Sequence, residues 1–459
     1  MPQSGGFNRT IKIIIGIIDV IIYHLSFVLA FNIRYRIINY SNWSDYINAL
    51  PWIMVTFVLM NILFGMYVLY DKRDIDFITT TTITQFMMTV IIMAFTFLGR
   101  WFAFPRTIVV ISFVISTVLL LVWRLIVLRI YWSTSGTSRV MIIGGEAEAK
   151  QALYSFIQAD SKQYKVNALN VSNHYTNVVE NLDETDVYYL LEDIDEAEQS
   201  RIISLLTFQE KRIFLSSDFQ NITLMDNKVM NIDDESIIAV SRFEIPPEND
   251  LIKRIFDLML SIMMLIVTSP ILLVTALAVK LDSKGPVFYR QTRITRGGKE
   301  FDVLKFRSMR QDAEKLSGPV LAQEDDPRVT KVGRIIRSLR IDELPQLFNV
   351  LKGEMSLVGP RPERPYFVDQ FIDRNQYYAL RHHVRAGITG YAQVYGKYST
   401  NFTNKLRFDL LYIKNYSIGL DLQILFQTVK ILFDKVSSQG VTEEESGEVK
   451  LPEGVSIYE

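Results

Sequence analysis

The sequence predicts a membrane protein of mixed α and α/β class: four N-terminal transmembrane helices, a Rossmann-like α/β domain, and a monotopic catalytic domain with a re-entrant membrane helix. Three observations predict it. Four apolar stretches of near-spanning length open the chain, a strand pattern runs into Gly144-Gly145, and a later apolar run, Leu258 to Val279, is interrupted by Ser269-Pro270. The expected segments are 1–134, 135–248 and 249–436, followed by an acidic tail, 437–459, expected to be disordered.

Composition supports this division. A chain of 459 residues with 49% hydrophobic content and 28 Phe has room for about three domains and is too apolar for an ordinary soluble protein. With no Cys, disulfides, thiolate zinc sites and cysteine nucleophiles are excluded together. The four histidines are His24, His174, His382 and His383; the adjacent pair points to different helix faces, which argues against a transition-metal site. The formal net charge of −1 hides an asymmetry: residues 251–420 hold 27 Lys+Arg against 16 Asp+Glu, whereas 441–459 hold six acids and one Lys. A basic C-terminal half suits an anionic partner such as phosphate, nucleotide or lipid headgroup, although a solvated charged face would read the same way.

The first four stretches, at roughly residues 11–33, 48–70, 80–104 and 107–131, each approach the ~20 residues a helix needs to cross a bilayer. No short apolar core leads to a small-residue cleavage site, so the first stretch is expected to remain as a helix. Basic residues flank both sides of these segments, among them Arg9, Lys12, Arg34, Arg36, Arg100, Arg106 and Arg139, which weakens the positive-inside signal. Four crossings return the chain to the side where it began, expected to be the cytoplasm.

Between Ser138 and Glu248 the pattern turns polar and alternating. Arg139 to Gly145 reads as a buried parallel strand entering a glycine turn, with a helix from Glu146 to Ile157. Further strands are expected at Val187–Leu191, Arg212–Ser217 and Ser236–Ser241, and a helix at Glu196–Glu210. The dinucleotide fingerprint is defective. Gly144-Gly145-Glu146-Ala147-Glu148-Ala149 lacks the later spaced glycines and sets two acids where a pyrophosphate would lie, so the unit reads as vestigial or regulatory. Pro246-Pro247 marks a linker.

The run from Leu258 to Val279 has spanning length, but Pro270 removes a backbone hydrogen bond at its centre. Basic residues stand at both ends, Lys253-Arg254 and Lys280 with Lys284. A helix-break-helix that enters and leaves by one face accommodates both facts better than a crossing.

Beyond it, 287–294 and 301–307, joined through Gly297-Gly298, predict a β-hairpin carrying Arg290, Lys305 and Arg307. Lys331 to Leu339 predicts an amphipathic helix with Val332, Ile335, Ile336 and Leu339 on one face and Arg334 and Arg337 on the other. Directly after it comes Asp342-Glu343, and then Arg361 between Pro360 and Pro362. An acid pair near a rigidly held arginine is the combination that metal-assisted phosphoryl transfer requires. Asp342 also reads as a helix N-cap with Glu343 in the first turn, and Arg361 as a surface turn.

The segments Lys305-Phe-Arg-Ser-Met309, Asp326-Pro-Arg-Val-Thr330, Asp342-Glu-Leu-Pro-Gln-Leu347, Leu351 through Gly359-Pro-Arg-Pro-Glu363, and Arg385-Ala-Gly-Ile-Thr-Gly390 resemble the bacterial sugar transferase family, the polyprenyl phosphate phosphoglycosyl transferases. The resemblance covers about residues 250–435, and the front end is similar to the long, exopolysaccharide-initiating members. It implies transfer of a sugar 1-phosphate from a UDP-sugar to undecaprenyl phosphate, with Mg2+, on the cytoplasmic face. It further implies that Asp342 is nucleophile and magnesium ligand, that Glu343 positions it or handles a proton, and that Arg361 grips phosphate. Lys305, Arg307 and Arg290 of the hairpin and Arg337 of the amphipathic helix are, by their charge, further candidate phosphate or nucleotide contacts. Ser269-Pro270 matches the family's helix break. Asp409 and Asp421 match family acids, though each also reads as a salt bridge on a basic domain. Arg340 departs from the small or polar residue expected there; it would alter sugar choice or add a phosphate contact. Glucose or galactose is the expected sugar, with an N-acetylated sugar as the alternative, and a homodimer through the Rossmann-like unit remains open.

Two rivals stay in view. A membrane-bound nucleotide-sugar dehydratase needs a second glycine-rich loop and a Tyr-x-x-x-Lys pair after residue 250, and neither is present. A membrane-tethered scaffold of polysaccharide assembly would use the basic domain for lipid headgroups alone.

Overall fold

The computed structural model describes residue 7 and residues 9–35, 40–69, 74–99, 104–159, 163–309, 328–396, 401–432 and 454–458. Two compact units divide them, one of residues 1–216 with 447–459, the other of residues 217–446.

In the first unit, α1 (Arg9–Arg34), α2 (Tyr40–Leu63), α3 (Asp74–Leu98) and α4 (Arg106–Ser135) are each long and apolar enough to cross a membrane. Helices α2 and α3 begin and end several residues before the expected stretches. Apolar content alone carries the second stretch on through Phe64–Leu69, but Gly65 takes a left-handed φ of 62° and turns the chain. The bundle is tied by one arginine. Arg124 of α4 pairs with Asp19 of α1 at 3.2 Å and donates to Asn61 of α2 and to Thr81 of α3. A buried charge among apolar helices must be satisfied from its neighbours, and each of the other three helices supplies a partner.

The same unit holds a fully parallel sheet in the order β11-β2-β1-β3-β4, from β1 (Ser138–Ile143), β2 (Tyr164–Asn170), β3 (Val187–Leu190), β4 (Arg212–Leu215) and β11 (Ser456–Tyr458). Its connections are α5 (Glu146–Ala159), α6 (His174–Glu180) and α7 (Glu196–Phe208). Val140 and Ile142 pack with Leu153 of α5; Met141 and Ile143 pack with Val178, Ile202 and Leu206 of α6 and α7. The alternation of β1 therefore covers both sheet faces, as in a doubly wound fold. Two expectations need correction. Ser456–Tyr458 form an edge strand, with Tyr458 Oη donating to Asn181, so this part of the tail is ordered. Its apolar residues alternate against β2, a contact invisible in the acid-rich composition. Residues 437–453 lie outside the described residues.

In the second unit, α8 (Phe219–Thr223) precedes an antiparallel hairpin, β5 (Lys228–Ile232) and β6 (Glu235–Ala239). The strand expected at Ser236–Ser241 thus pairs locally and does not join the parallel sheet, because a tight turn at Asp233-Asp234 lets its neighbour reach it first. Helix α9 (Pro247–Asp282) follows, then β7 (Phe288–Ile294) and β8 (Glu300–Phe306), α10 (Lys331–Ser338), α11 (Gln346–Lys352), β9 (Met355–Val358), α12 (Pro365–Arg374), β10 (Ala386–Thr389), α13 (Tyr391–Tyr395), α14 (Phe402–Lys414) and α15 (Ile418–Leu432). Single 3-10 segments lie at Arg296–Gly298, Ile341–Glu343 and Gln376–His383. Leu347, Val350, Met355, Leu357, Leu410, Tyr412 and Ile424 are among the residues of its core.

The break expected at Ser269-Pro270 is not a gap in the helix. Helical bonding runs through α9, and the Ile266 carbonyl, which Pro270 deprives of its amide donor, accepts instead from Ser269 Oγ at 2.8 Å. Both flanks of α9 are fastened to the same unit. On one side Lys253 Nζ lies 2.5 Å from Asp421, Arg254 donates to the Val350 and Leu351 carbonyls, and Asp257 accepts from Ser356 Oγ and Leu357 N. On the other, Arg307 donates to the carbonyls of Ser283 and Lys284, and Asp282 accepts from Val332 N. Between the flanks Ile266, Val267, Leu273 and Val274 are about 70% exposed, an apolar surface in the middle of the helix without a partner among the described residues.

Candidate active site

The site is built where α10 ends. Thr330 caps α10 by accepting from Gly333 N, and Val332 and Ile336 pack on Val279 and Phe306, which holds the helix in place. Ile335 and Leu339 of the expected apolar face stay 60% exposed or more. Arg340 turns the chain with a left-handed φ of 52°, and the 3-10 turn Ile341–Glu343 presents the two acids. Helix α11 starts three residues later, after Pro345, with no side-chain cap. Asp342 is therefore not the N-cap of α11.

The two carboxylates have unlike surroundings. Glu343 accepts from Lys305 Nζ of β8 at 2.8 Å, with Arg361 at 3.7 Å and Arg340 at 3.9 Å. Burial alone would raise its pKa, but Lys305, Arg361 and Arg340 prevail and hold it at about 2. Asp342 goes the other way. Burial and then the adjacent Glu343 charge raise it to about 6, against the opposing pull of Lys305 and Arg337. Two neighbouring acids pushed apart in this way can take different roles. Glu343 is a fixed anion that organises three cations; Asp342 is a desolvated carboxylate near neutrality.

Arg361 is held by its backbone. The carbonyls of four successive residues are each taken by a donor: Pro360 by Gly387 N, Arg361 by Arg381 Nη2, Pro362 by Arg293 Nη1 and Glu363 by Ile294 N. Glycines allow the close approach, because a Cβ on Gly359 would collide with the Arg385 carbonyl and one on Gly387 with Gly359 N. Arg381 is itself buried against Asp409 at 2.7 Å and Tyr378 Oη at 2.7 Å. Asp409 thus holds Arg381, which holds the Arg361 backbone, while the Arg361 side chain is 43% exposed beside Glu343.

The structure gathers Asp342, Glu343, Lys305, Arg337 and Arg361, and does not bring in the rest. Arg290 pairs across the hairpin with Leu304, on the face opposite Lys305 and Tyr289. Arg307 is 6% exposed and caps the end of α9. Asp421 is buried between Lys253 and Tyr412 Oη, an anchor for the start of α9. Sequence reading missed Arg381 and Arg293; each steadies the Arg361 loop through a main-chain carbonyl, a target that no motif exposes. Asp326 and Pro327 of the quoted segments lie outside the described residues.

Among the described residues no three His, Asp or Glu side chains gather as a metal site. Glu343 is engaged by cations, so a divalent ion here would have Asp342 as its protein carboxylate. That fits Mg2+, which commonly takes one or two carboxylates and completes its shell with water and substrate phosphate.

Residues 248–435 match the sequence model of the family described as Bacterial sugar transferase. The chain is 44% identical over 180 residues to an uncharacterized sugar transferase of Bacillus subtilis, a match covering 39% of this chain and 86% of that protein. It belongs to the bacterial sugar transferase family. It is also 48% identical over 184 residues to the UDP-N-acetylgalactosamine-undecaprenyl-phosphate N-acetylgalactosaminephosphotransferase of Aeromonas hydrophila, covering 39% of this chain and 43% of the relative. To the UDP-glucose:undecaprenyl-phosphate glucose-1-phosphate transferase of Klebsiella pneumoniae it is 39% identical over 250 residues, covering 53% of each. The chain thus spans about half the length of these two relatives.

Proposed function

We propose that this protein transfers a sugar 1-phosphate, glucose or galactose in the first instance, from a UDP-sugar to undecaprenyl phosphate, initiating the repeat unit of an exopolysaccharide or capsule. The observation that carries this reading is the desolvated Asp342 beside Glu343 and its three cations. Names of relatives support the substrate class, and N-acetylgalactosamine in one of them keeps an N-acetylated sugar as the alternative.

In the proposed ping-pong course, an Asp342 oxygen bonds to the phosphorus bearing the sugar. The bridging P–O bond breaks and its electron pair leaves with UMP. An oxygen of undecaprenyl phosphate then attacks the same phosphorus, and the Asp342 carboxylate departs. Arg361, Lys305 and Arg337 supply positive charge to the phosphate oxygens, and Glu343, ionised throughout, keeps Lys305 and Arg361 in position. Mg2+ held by Asp342 and substrate phosphate would add further charge neutralisation.

Attachment of both ends of α9 to one folded unit supports the re-entrant reading, with the active site on the cytoplasmic side where nucleotide sugars are found. A crossing would set those ends apart by about 30 Å of hydrocarbon. Cysteines introduced near Lys253 and Lys284 should react with an impermeant thiol reagent from the same side; labelling from opposite sides refutes it. Self-association is supported by the exposed Val229, Ile232 and Ile238 of the β5–β6 hairpin and Val240 just after it.

The function is tested by mixing the purified protein with a panel of labelled UDP-sugars, undecaprenyl phosphate and Mg2+. A lipid-linked sugar phosphate and UMP are expected from one or a few donors. A scaffold yields neither, and a dehydratase alters the sugar without releasing UMP.

A further inference from the structure

Among the described residues five non-glycine positions take a left-handed backbone: Asn173, Glu210, Asp226, Asp233 and Arg340. Only Arg340 touches the acid pair. It follows the last turn of α10, the position where Gly or Asn is least costly, and a long side chain offers no local hydrogen bond to ease the conformation. What the folded chain recovers from this arginine is small. Its guanidinium stands 3.9 Å from Glu343, is 44% exposed, and adds a third cation to a carboxylate that Lys305 already meets at 2.8 Å. Exposed pairs at such a distance contribute little. A strained residue at a functional site, with little return from its own fold, directs attention to a ligand.

Charge identifies that ligand. Lys305, Arg337, Arg340 and Arg361 face Asp342 and Glu343, four positive charges against two negative before any metal ion is counted. A nucleotide-sugar diphosphate carries two negative charges, and its cleavage places further charge on the departing nucleoside monophosphate. Without Arg340 the surplus is one.

We propose that Arg340 binds the diphosphate of the nucleotide-sugar donor and stabilises the charge collecting on the leaving nucleotide. This rests on the phosphoglycosyl transfer reading and assigns within it a role to a residue beside the acid pair.

The test uses the full chain and two variants, Arg340→Asn and Arg340→Lys, with UMP release, lipid-linked product and thermal unfolding all measured. Asn accepts the left-handed backbone and removes the charge, so its unfolding midpoint should rise by about 2–4 °C while the KM for UDP-sugar rises about tenfold. The KM for undecaprenyl phosphate should not move. Lys keeps strain and charge but loses the planar fork; its midpoint should stay and its donor KM should rise less. An Asn variant with unchanged donor KM overturns the proposal. So does one that loses activity with a lowered midpoint, which marks a structural residue, or one in which only the lipid KM shifts, which moves Arg340 to the acceptor. A wild-type protein that releases no UMP from any UDP-sugar overturns the reading beneath it.

Discussion

Two places in this chain have the makings of an anion site, and they are filled in opposite ways. At the glycine turn after β1, the Gly145 amide donates to the exposed Asp193 carboxylate, and a Cβ on Gly144 would come within 2.6 Å of Asp193 Oδ1. Glu146 and Glu148 open the helix behind it. An amide of this turn is thus met by the chain's own carboxylate, as folded. At the acid pair, Glu343 likewise stands among donors, but there the cations outnumber it. One turn is satisfied without a ligand; the other keeps surplus positive charge beside a desolvated carboxylate. What separates the two is the unspent positive charge around the internal anion.

The largest effect expected from breaking this contrast is that of Asp342→Asn. UMP release should fall by several powers of ten, since the amide cannot act as the carboxylate nucleophile, and no labelled sugar phosphate should be trapped on protein without acceptor. Turnover within about tenfold of wild type would refute the covalent assignment. Next comes Arg361→Lys, which keeps charge on the clamped loop but loses two-point contact; a drop of about one to three orders of magnitude in turnover is expected. Near-normal activity would make this a structural turn.

The pH dependence is smaller and more diagnostic. Asp342 must be ionised to attack, so kcat/KM for the donor should climb with pH along a limb near 6. Lys305→Met removes a charge that lowers the Asp342 pKa, and the limb should move to higher pH. Stability runs the other way. The folded protein retains a proton on Asp342 that the unfolded chain gives up between pH 3.8 and about 6, so ionisation costs stability as pH rises through that window, by up to about 3 kcal/mol. Asp342→Asn should therefore be more stable than wild type at pH 7.5 and equal to it at pH 4, as read by thermal unfolding. A gain of the same size at both values would contradict the assigned burial.

The smallest effect should come from Asp193→Ala. Removing the internal carboxylate frees the Gly145 amide and changes no residue of the unit that holds the acid pair, so transfer should stay within about twofold of wild type, in line with an exposed substitution. Loss of activity would show that the turn still serves the reaction.

Local chemistry was readable before any fold. Stretches of apolar residues announce helices α1–α4 and α9, alternation announces β1 and the β7–β8 hairpin, and the succession of short segments through Arg385 to Gly390 identifies the family. Each depends on neighbours within a few residues, or on a motif whose members stay in order. By contrast Asp409, Asp421, Arg307 and Arg290 were equivalent charges in a basic sequence, and only long-range contact separated them. Asp409 and Asp421 became buried ion pairs, Arg307 a helix clamp, and Arg290 was turned away by strand alternation. The same holds for Asp342 and Glu343. Side by side in sequence they are two acids of ordinary pKa; burial, with the charge of Glu343, sends Asp342 up, while Lys305 and Arg361, brought from two distant segments, join the nearby Arg340 to send Glu343 down. Sequence determines which groups are present and how each short segment folds, but the strength of a charge depends on what lies within a few ångströms of it, and tertiary structure alone decides that.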